Sequence, residues 1–124
     1  MEKNSKIYVA GHRGMVGSAI VRELERQGYN NIITRTHKEL DLTRQCEVEQ
    51  FFAEEKPEYV FFAEAKVVGI VANQTAVADF MYENMILEMN VIHSAWQNGC
   101  KKLEFLGSSC IYPRMAPQPM KESC

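Results

Sequence analysis

The feature that most restricts this chain lies near its start. A short β-rich run, Lys6-Ile7-Tyr8-Val9-Ala10, ends on Gly11-His12-Arg13-Gly14-Met15-Val16-Gly17 and passes into a helix. Val16, Ala19, Ile20 and Leu24 recur at three- and four-residue spacing, which sets one apolar stripe of that helix against a sheet. Gly28, able to take positive φ, closes it. Glycines three residues apart between a strand and a helix have a steric logic. The first permits a tight turn, the second lets backbone approach a pyrophosphate, and the third lets helix and strand pack closely. The helix amino terminus then offers unpaired N–H groups and about half a positive charge to an anion. Gly11, Gly14 and Gly17, with His12, Arg13, Met15 and Val16 between them, are therefore the candidate phosphate-binding turn. At His12 the backbone matters more than the ring. A glycine-rich connection holding no ligand is the bland alternative, and the flanking strand and helix weigh against it.

The same alternation continues. Asn30-Asn31 turns the chain into a second strand, Ile32 to Arg35, and Glu39 to Leu42 reads as a short extended piece. A second helix, about Thr43 to Glu55, carries Val48, Phe51 and Phe52 on one side, and Pro57 stops it. Tyr59-Val60-Phe61-Phe62-Ala63 is continuously apolar, as a parallel strand buried on both faces requires. A long helix from about Ala78 to Gln97 ends at Gly99. Leu103 to Leu106 is the next strand, taken as buried, and it delivers Gly107, Ser108, Ser109 and Cys110 at its carboxyl end. Pro113, Pro117 and Pro119 mark an irregular tail.

Strands alternating with helices specify a parallel sheet built by right-handed crossovers. The expected fold is α/β, the amino-terminal part of a Rossmann-type doubly wound sheet, with all 124 residues in one partial NAD(P)-binding domain. Ligands of such sheets bind beyond the carboxyl ends of the strands. Residues 11–17, 35–42 and 106–110 converge there.

Composition narrows the partners. A net charge of −2 and a pI near 5.9 give no basic field, so neither nucleic acid nor an anionic membrane is expected. Charges at Glu2, Lys3, Lys6 and Arg13 leave no signal-peptide core, and no run approaches the ~18 apolar residues of a membrane span. A cytoplasmic, reduced protein is expected. Cys46, Cys100, Cys110 and Cys124 form no C-x-x-C pair, so no metal is expected.

The end of the second strand selects the dinucleotide. A carboxylate there accepts from a ribose 2′-hydroxyl, whereas an arginine accommodates a 2′-phosphate. The chain has Arg35 at that point, His37 two residues on, and Arg13 within reach from the glycine turn. Either arginine alone is as readily a solvated charge. Together they favour NADP(H), because paired guanidiniums give charge-assisted bonds to phosphate. Asp41 and Leu42 lie where adenine would pass, and Asp41 serves equally well as a cap for the helix near Thr43. At the other end, Ser108 can polarise a substrate carbonyl, and the Cys110 thiol can move a proton at the neighbouring carbon. By themselves, two serines and a cysteine after a strand are a plain turn.

Longer stretches are more specific. Residues 10–20 (Ala-Gly-His-Arg-Gly-Met-Val-Gly-Ser-Ala-Ile), 35–42 (Arg-Thr-His-Lys-Glu-Leu-Asp-Leu) and 106–113 (Leu-Gly-Ser-Ser-Cys-Ile-Tyr-Pro) carry a resemblance, with Ala65-Lys66, Gly69-Ile70, Ala78-Asp79-Phe80 and Asn90-Val91-Ile92-His93. They closely resemble the GDP-L-fucose synthase family of extended short-chain dehydrogenases/reductases, over essentially the whole chain. The resemblance implies a 3,5-epimerisation and NADPH-dependent 4-reduction of GDP-4-keto-6-deoxy-D-mannose, a nucleotide-sugar substrate. It assigns Cys110 to epimerisation and Ser108 to the keto group. It assigns residues 11–17, 37–42 and 106–109 to the coenzyme, including Leu106, Gly107 and Ser109. It also implies a homodimer through the helix of residues 78–97, where Met81, Met85, Met89, Leu87, Val91 and Ile92 spread over more than one face.

The departures concern catalysis. The family's Tyr-x-x-x-Lys pair has no counterpart, since Tyr82 and Tyr112 lack a lysine four residues on. Glu64 and Val68 replace small residues, and an inward Glu64 would crowd a pyrophosphate. The isolated chain is expected to be inactive. Another nucleotide-sugar epimerase/reductase of the superfamily, or a non-catalytic NADP-binding module, are the other readings. His93 reads as a packed or surface histidine, Lys66 as solvated or phosphate-reaching, and Asn90 as a bridge to backbone.

Overall fold

Strand β1, Ile7–Ala10, is buried along its whole length and forms the spine of the molecule. A computed structural model describes residues 1–65, 77–108 and 111–123. Helix α1 spans Met15–Arg26, strand β2 Ile32–Ile33, helix α2 Gln45–Glu55 and strand β3 Tyr59–Phe62. Helix α3, Val77–Gln97, and strand β4, Lys102–Phe105, follow. All pairings are parallel and the sheet order is β2-β1-β3-β4. The order therefore reverses between β1 and β3, the switch point of a doubly wound sheet.

Strand alternation divides the core. Ile7 and Val9 face α1, where they pack with Leu24, Ile20, Val21 and Phe61. Tyr8, Ala10, Val60 and Phe62 face the other way, onto Val48, Phe51 and Phe52 of α2 and Leu87, Val91 and Ala95 of α3. Rings of Tyr8, Phe51 and Phe52 meet at 4.7–5.9 Å between centroids. This is the two-sided burial that the continuous apolar strands require.

Helix ends follow local chemistry. Gly28 has φ +83° after α1, and Gly99 has φ +76° after α3. Lys56 takes the left-handed conformation at the end of α2, its N–H donating to the Phe52 carbonyl at 3.0 Å, before Pro57 carries the chain back into the sheet.

Several sequence expectations change. The α1 stripe is Gly17, Ile20, Val21 and Leu24, while Val16 is 49% exposed at the helix start. Strand β2 stops two residues before Arg35. Residues 36–43 are turns rather than an extended piece, because two side chains capture the backbone. Glu39 Oε2 accepts from the Thr36 N–H and hydroxyl, both at 2.7 Å, and Asp41 Oδ1 accepts from the Thr43 N–H at 3.0 Å and hydroxyl at 2.7 Å. That second turn delays α2 to Gln45. Leu40 and Leu42 are nonetheless buried, and the Leu42 carbonyl accepts from Asn90 Nδ2 at 2.9 Å, which bridges α3 to the loop as expected. Strand β4 is largely exposed rather than buried, since it is the sheet edge and no described element covers it.

Candidate functional site

The glycine turn sits at the carboxyl end of β1, at the switch point. Gly11 has φ +77°, and a Cβ there would lie 2.5 Å from the Ala63 carbonyl oxygen. A Cβ on Gly17 would lie 2.0 Å from the Gly11 carbonyl oxygen. Both positions are closed to any side chain, so the turn is pressed against β3 on one side and α1 on the other. Gly14 N–H donates to the Gly11 carbonyl at 2.9 Å, and Ser18 N–H donates to the Gly14 carbonyl at 2.9 Å. Gly14 is the N-cap of α1, with no side-chain cap and no acidic residue in the first turn. The N–H groups of that turn have no intrahelical acceptor. Met15, 88% exposed, shows how open this end is. Closed glycine contacts and an uncapped helix start fit a bound diphosphate.

Arg13 is exposed beside the turn, and its charge reaches Glu39. Arg35 is directed differently from the sequence reading. Its Nη2 lies 3.0 Å from Glu55 Oε1, Nη1 donates to its neighbour's Thr34 carbonyl at 2.9 Å, and the guanidinium rests 5.4 Å from the Phe51 ring centroid. Glu55 Oε2 also holds Lys6 Nζ at 3.2 Å. The Arg35 cation is thus bound to the end of α2, in a cleft with Glu39, Glu47 and Glu54 on its walls. Sequence reading missed Glu55. Twenty residues separate it from Arg35, and no local pattern pairs them.

The adenine-side candidates cluster. His37, Asp41, Leu42, Thr43, Glu64, Ala65, Glu83 and Leu87 line a cavity of about 240 Å³. His37 Nδ1 is 4.0 Å from Asp41 Oδ1. Burial disfavours the Asp41 carboxylate, but the Thr43 bonds, His37 and Arg44 outweigh it and hold its carboxyl below the usual range. Asp41 therefore shapes the turn before α2 rather than capping the helix, whose N-cap is Arg44 with no side-chain cap, while Leu42 is buried beneath it. Glu64 is half-buried, its main-chain nitrogen 3.0 Å from where a Cβ on Gly11 would lie. Burial pushes its carboxyl upward, Asp41 adds to that, and His37, His12 and the Gly11 N–H oppose it. Tyr8, buried under the same corner, is raised by burial and by Glu64.

At the far end, Leu106 N–H donates to the Phe62 carbonyl at 3.2 Å, carrying the β3–β4 ladder one residue further. Leu106, Gly107 and Ser108 then stand exposed, with the Ile111 N–H on the Ser108 carbonyl at 3.2 Å. Ser109 and Cys110 lie outside the described residues, as do Lys66, Val68, Gly69 and Ile70. His93 is exposed on α3, its ring 5.8 Å from that of Trp96. The glycine turn, residues 37–42 and residues 106–108 thus share the carboxyl edge of the sheet, while Arg35 faces α2.

Residues 7–124 match the family described as NAD dependent epimerase/dehydratase. GDP-L-fucose synthase 1 of Arabidopsis thaliana is 62% identical over 122 residues, covering 98% of this chain and 38% of its own length. GDP-L-fucose synthase of Escherichia coli (strain K12) is 56% identical over 118 residues, covering 95% and 37%. The chain thus spans about two-fifths of the length of the curated relatives it matches. Among solved structures, GDP-mannoheptose C4 reductase from Campylobacter jejuni with NADP bound superposes with a TM-score of 0.92 at 49% identity, over 99% of this chain and 39% of that one.

Proposed function

Given that this chain belongs to the NAD dependent epimerase/dehydratase family, we propose that it is the coenzyme-binding portion of an NADP(H)-dependent epimerase/reductase acting on GDP-4-keto-6-deoxy-D-mannose to give GDP-L-fucose. The observation that carries this is the glycine turn. Gly11 and Gly17 leave no room for a Cβ, and the start of α1 that they press against the sheet carries no side-chain cap. The name of the Arabidopsis relative and the NADP of the Campylobacter structure support the substrate and the coenzyme.

When bound, the coenzyme supplies hydride for reduction of a keto carbon. The chain's own part is to bind and orient. The α1 amides and Arg13 hold phosphate, Leu42 packs beside the adenine, and Asp41 keeps its loop shaped to receive it. Ser108, at the carboxyl end of β4, donates a hydrogen bond to the substrate carbonyl and stabilises the charge that develops there. Cys110 shuttles the proton of the carbon next to that carbonyl, whose C–H bond the carbonyl acidifies. The chain acts in the cytoplasm on a small nucleotide sugar.

The protein works as a homodimer through α3. Val77, Met81, Met85, Met89, Ile92 and Trp96 form one exposed stripe along that helix, while Leu87, Val91 and Ala95 point into the core. An apolar stripe of this length suits a second copy of the same helix.

Titration of the chain with NADPH and NADH, following nucleotide fluorescence and melting temperature together, tests the coenzyme reading. NADPH at a hundredfold over its dissociation constant should stabilise the fold by about 2.7 kcal/mol, and NADH should bind more weakly. Equal affinities refute the NADP preference, and no binding by either refutes the assignment.

A further inference from the structure

Residues 36–43 form the loop beside which adenine would pack, and most of what holds them is local. Glu39 binds Thr36, Asp41 binds Thr43, and Glu47 Oε2 accepts the Asp41 N–H at 3.2 Å. Bonds of such short span give the loop its shape without fixing its distance from the rest of the molecule. Among the described residues, one hydrogen bond reaches it from far along the chain. Asn90 Nδ2, on α3, donates to the Leu42 carbonyl at 2.9 Å, across 48 residues. Both residues are buried, so water does not take either place. Glu83, Leu87 and Asn90 follow at four- and three-residue spacing on one face of α3. The first two line the cavity of about 240 Å³ between that helix and the loop, and the third ties the loop to the helix. We propose that Asn90 is a positioning residue for the coenzyme: its amide fixes the loop against α3 and thereby sets the width of the adenine-side cavity. The inference rests on the coenzyme reading above and deepens it, because it names what holds that half of the site open.

The side chain suits that task. A main-chain carbonyl needs a donor, and asparagine brings a neutral N–H without burying a charge. Aspartate at the same place turns an acceptor toward an acceptor, and leucine, of similar size, leaves the Leu42 carbonyl buried without a partner. In either case the carbonyl turns toward another donor or toward water. Leu42 moves with it, and so do His37, Asp41 and Thr43, which share the same cavity wall. The Leu40 and Leu42 side chains remain anchored in the core with Leu87 and Val91, so the loop loosens rather than detaches. Apolar contact of that kind is non-directional and leaves the loop free to slide, whereas the hydrogen bond fixes one distance. Loosening therefore weakens the adenine half of the site while the fold persists.

The test is the affinity of the wild-type chain, Asn90→Asp, Asn90→Leu and Ser94→Ala for NADPH and for adenosine 2′,5′-bisphosphate, its adenine half. Each protein is measured well below its own melting temperature. Ser94, buried one turn farther along α3, controls for general loosening of that helix. Both Asn90 variants should bind the two ligands about tenfold more weakly, by the same factor, and Ser94→Ala should bind them as the wild type does. A second readout needs no variant to fold. In the wild-type chain the Asn90 side-chain amide protons, followed by NMR, should exchange with solvent more slowly once the bisphosphate is bound. Unaltered exchange, or folded Asn90 variants that bind both ligands like the wild type, overturns the role of Asn90 and leaves the coenzyme reading standing. A loss for NADPH without one for the bisphosphate, or an equal loss in Ser94→Ala, overturns it too. Absence of NADPH binding by the wild-type chain overturns both.

Discussion

Alanine at Gly17 would place a methyl group 2.0 Å from the Gly11 carbonyl oxygen, 2.6 Å from its carbon and 3.1 Å from the His12 Cα. Every one of these atoms is backbone, so no rotamer change relieves the contact. Restoring ordinary separation requires a movement of more than about 1 Å, by opening the turn or by lifting α1 from β1. Lifting α1 uncovers Ile7 and Val9, which share a core with Leu24, Ile20 and Val21. Overpacking costs typically ~1–3 kcal/mol, and a clash with backbone belongs at the upper end, about 3 kcal/mol. Two other glycines supply the scale. Gly28 has φ +83° with nothing within 4 Å, so Gly28→Ala costs only the left-handed strain, ~1–2 kcal/mol. Gly14 has ordinary φ and a prospective Cβ 3.3 Å from the Gly11 oxygen, so Gly14→Ala should cost less than about 1 kcal/mol. Gly11→Ala combines strain with a 2.5 Å contact and should equal or exceed Gly17→Ala. Urea unfolding followed by circular dichroism at fixed m gives the four values. A Gly17→Ala variant as stable as Gly14→Ala would refute the close-packing account of this turn.

Further outcomes follow from particular contacts. Glu55→Gln should release the Arg35 guanidinium from α2 and raise NADPH affinity more than NADH affinity, read by parallel fluorescence titrations; an unchanged ratio means that Arg35 does not read the 2′-phosphate. Asp41 ionises more readily folded than unfolded, so its stabilising contribution is complete above the unfolded value near ~3.9 and is lost as pH falls through the lower folded value. Urea midpoints between about pH 5 and about pH 2 should fall more steeply for wild type than for Asp41→Asn, and parallel curves would remove Asp41 from the acid transition. Trp96, the chain's single tryptophan, is 74% exposed on the α3 stripe, so its emission should shift to the blue as protein concentration rises and copies pair. Concentration-independent emission with a monomeric sedimentation coefficient contradicts pairing through this helix.

Much of the molecule was legible in the linear chain. The strands at Ile7–Ala10 and Tyr59–Phe62, the glycine turn and the helix ends at Gly28 and Gly99 all depend on interactions within a few residues. The spacing of apolar side chains and the φ angles open to glycine fix them before any distant contact forms. Boundaries failed where short polar side chains competed for backbone. Thr36, Glu39, Asp41 and Thr43 drew residues 36–43 into turns and shortened both β2 and α2.

What sequence alone determined is the order of elements and a turn too tight for side chains, because both obey local sterics. Tertiary structure decided what lies against that turn and where the nearby charges pair. Arg35 faces α2 because the end of that helix returns Glu55 to within 3.0 Å, and the Ala63–Glu64 backbone closes on Gly11 because β3 pairs directly with β1. Charge pairing is settled by distance in space and by the water excluded around it, and neither quantity is written in the spacing of residues along the chain.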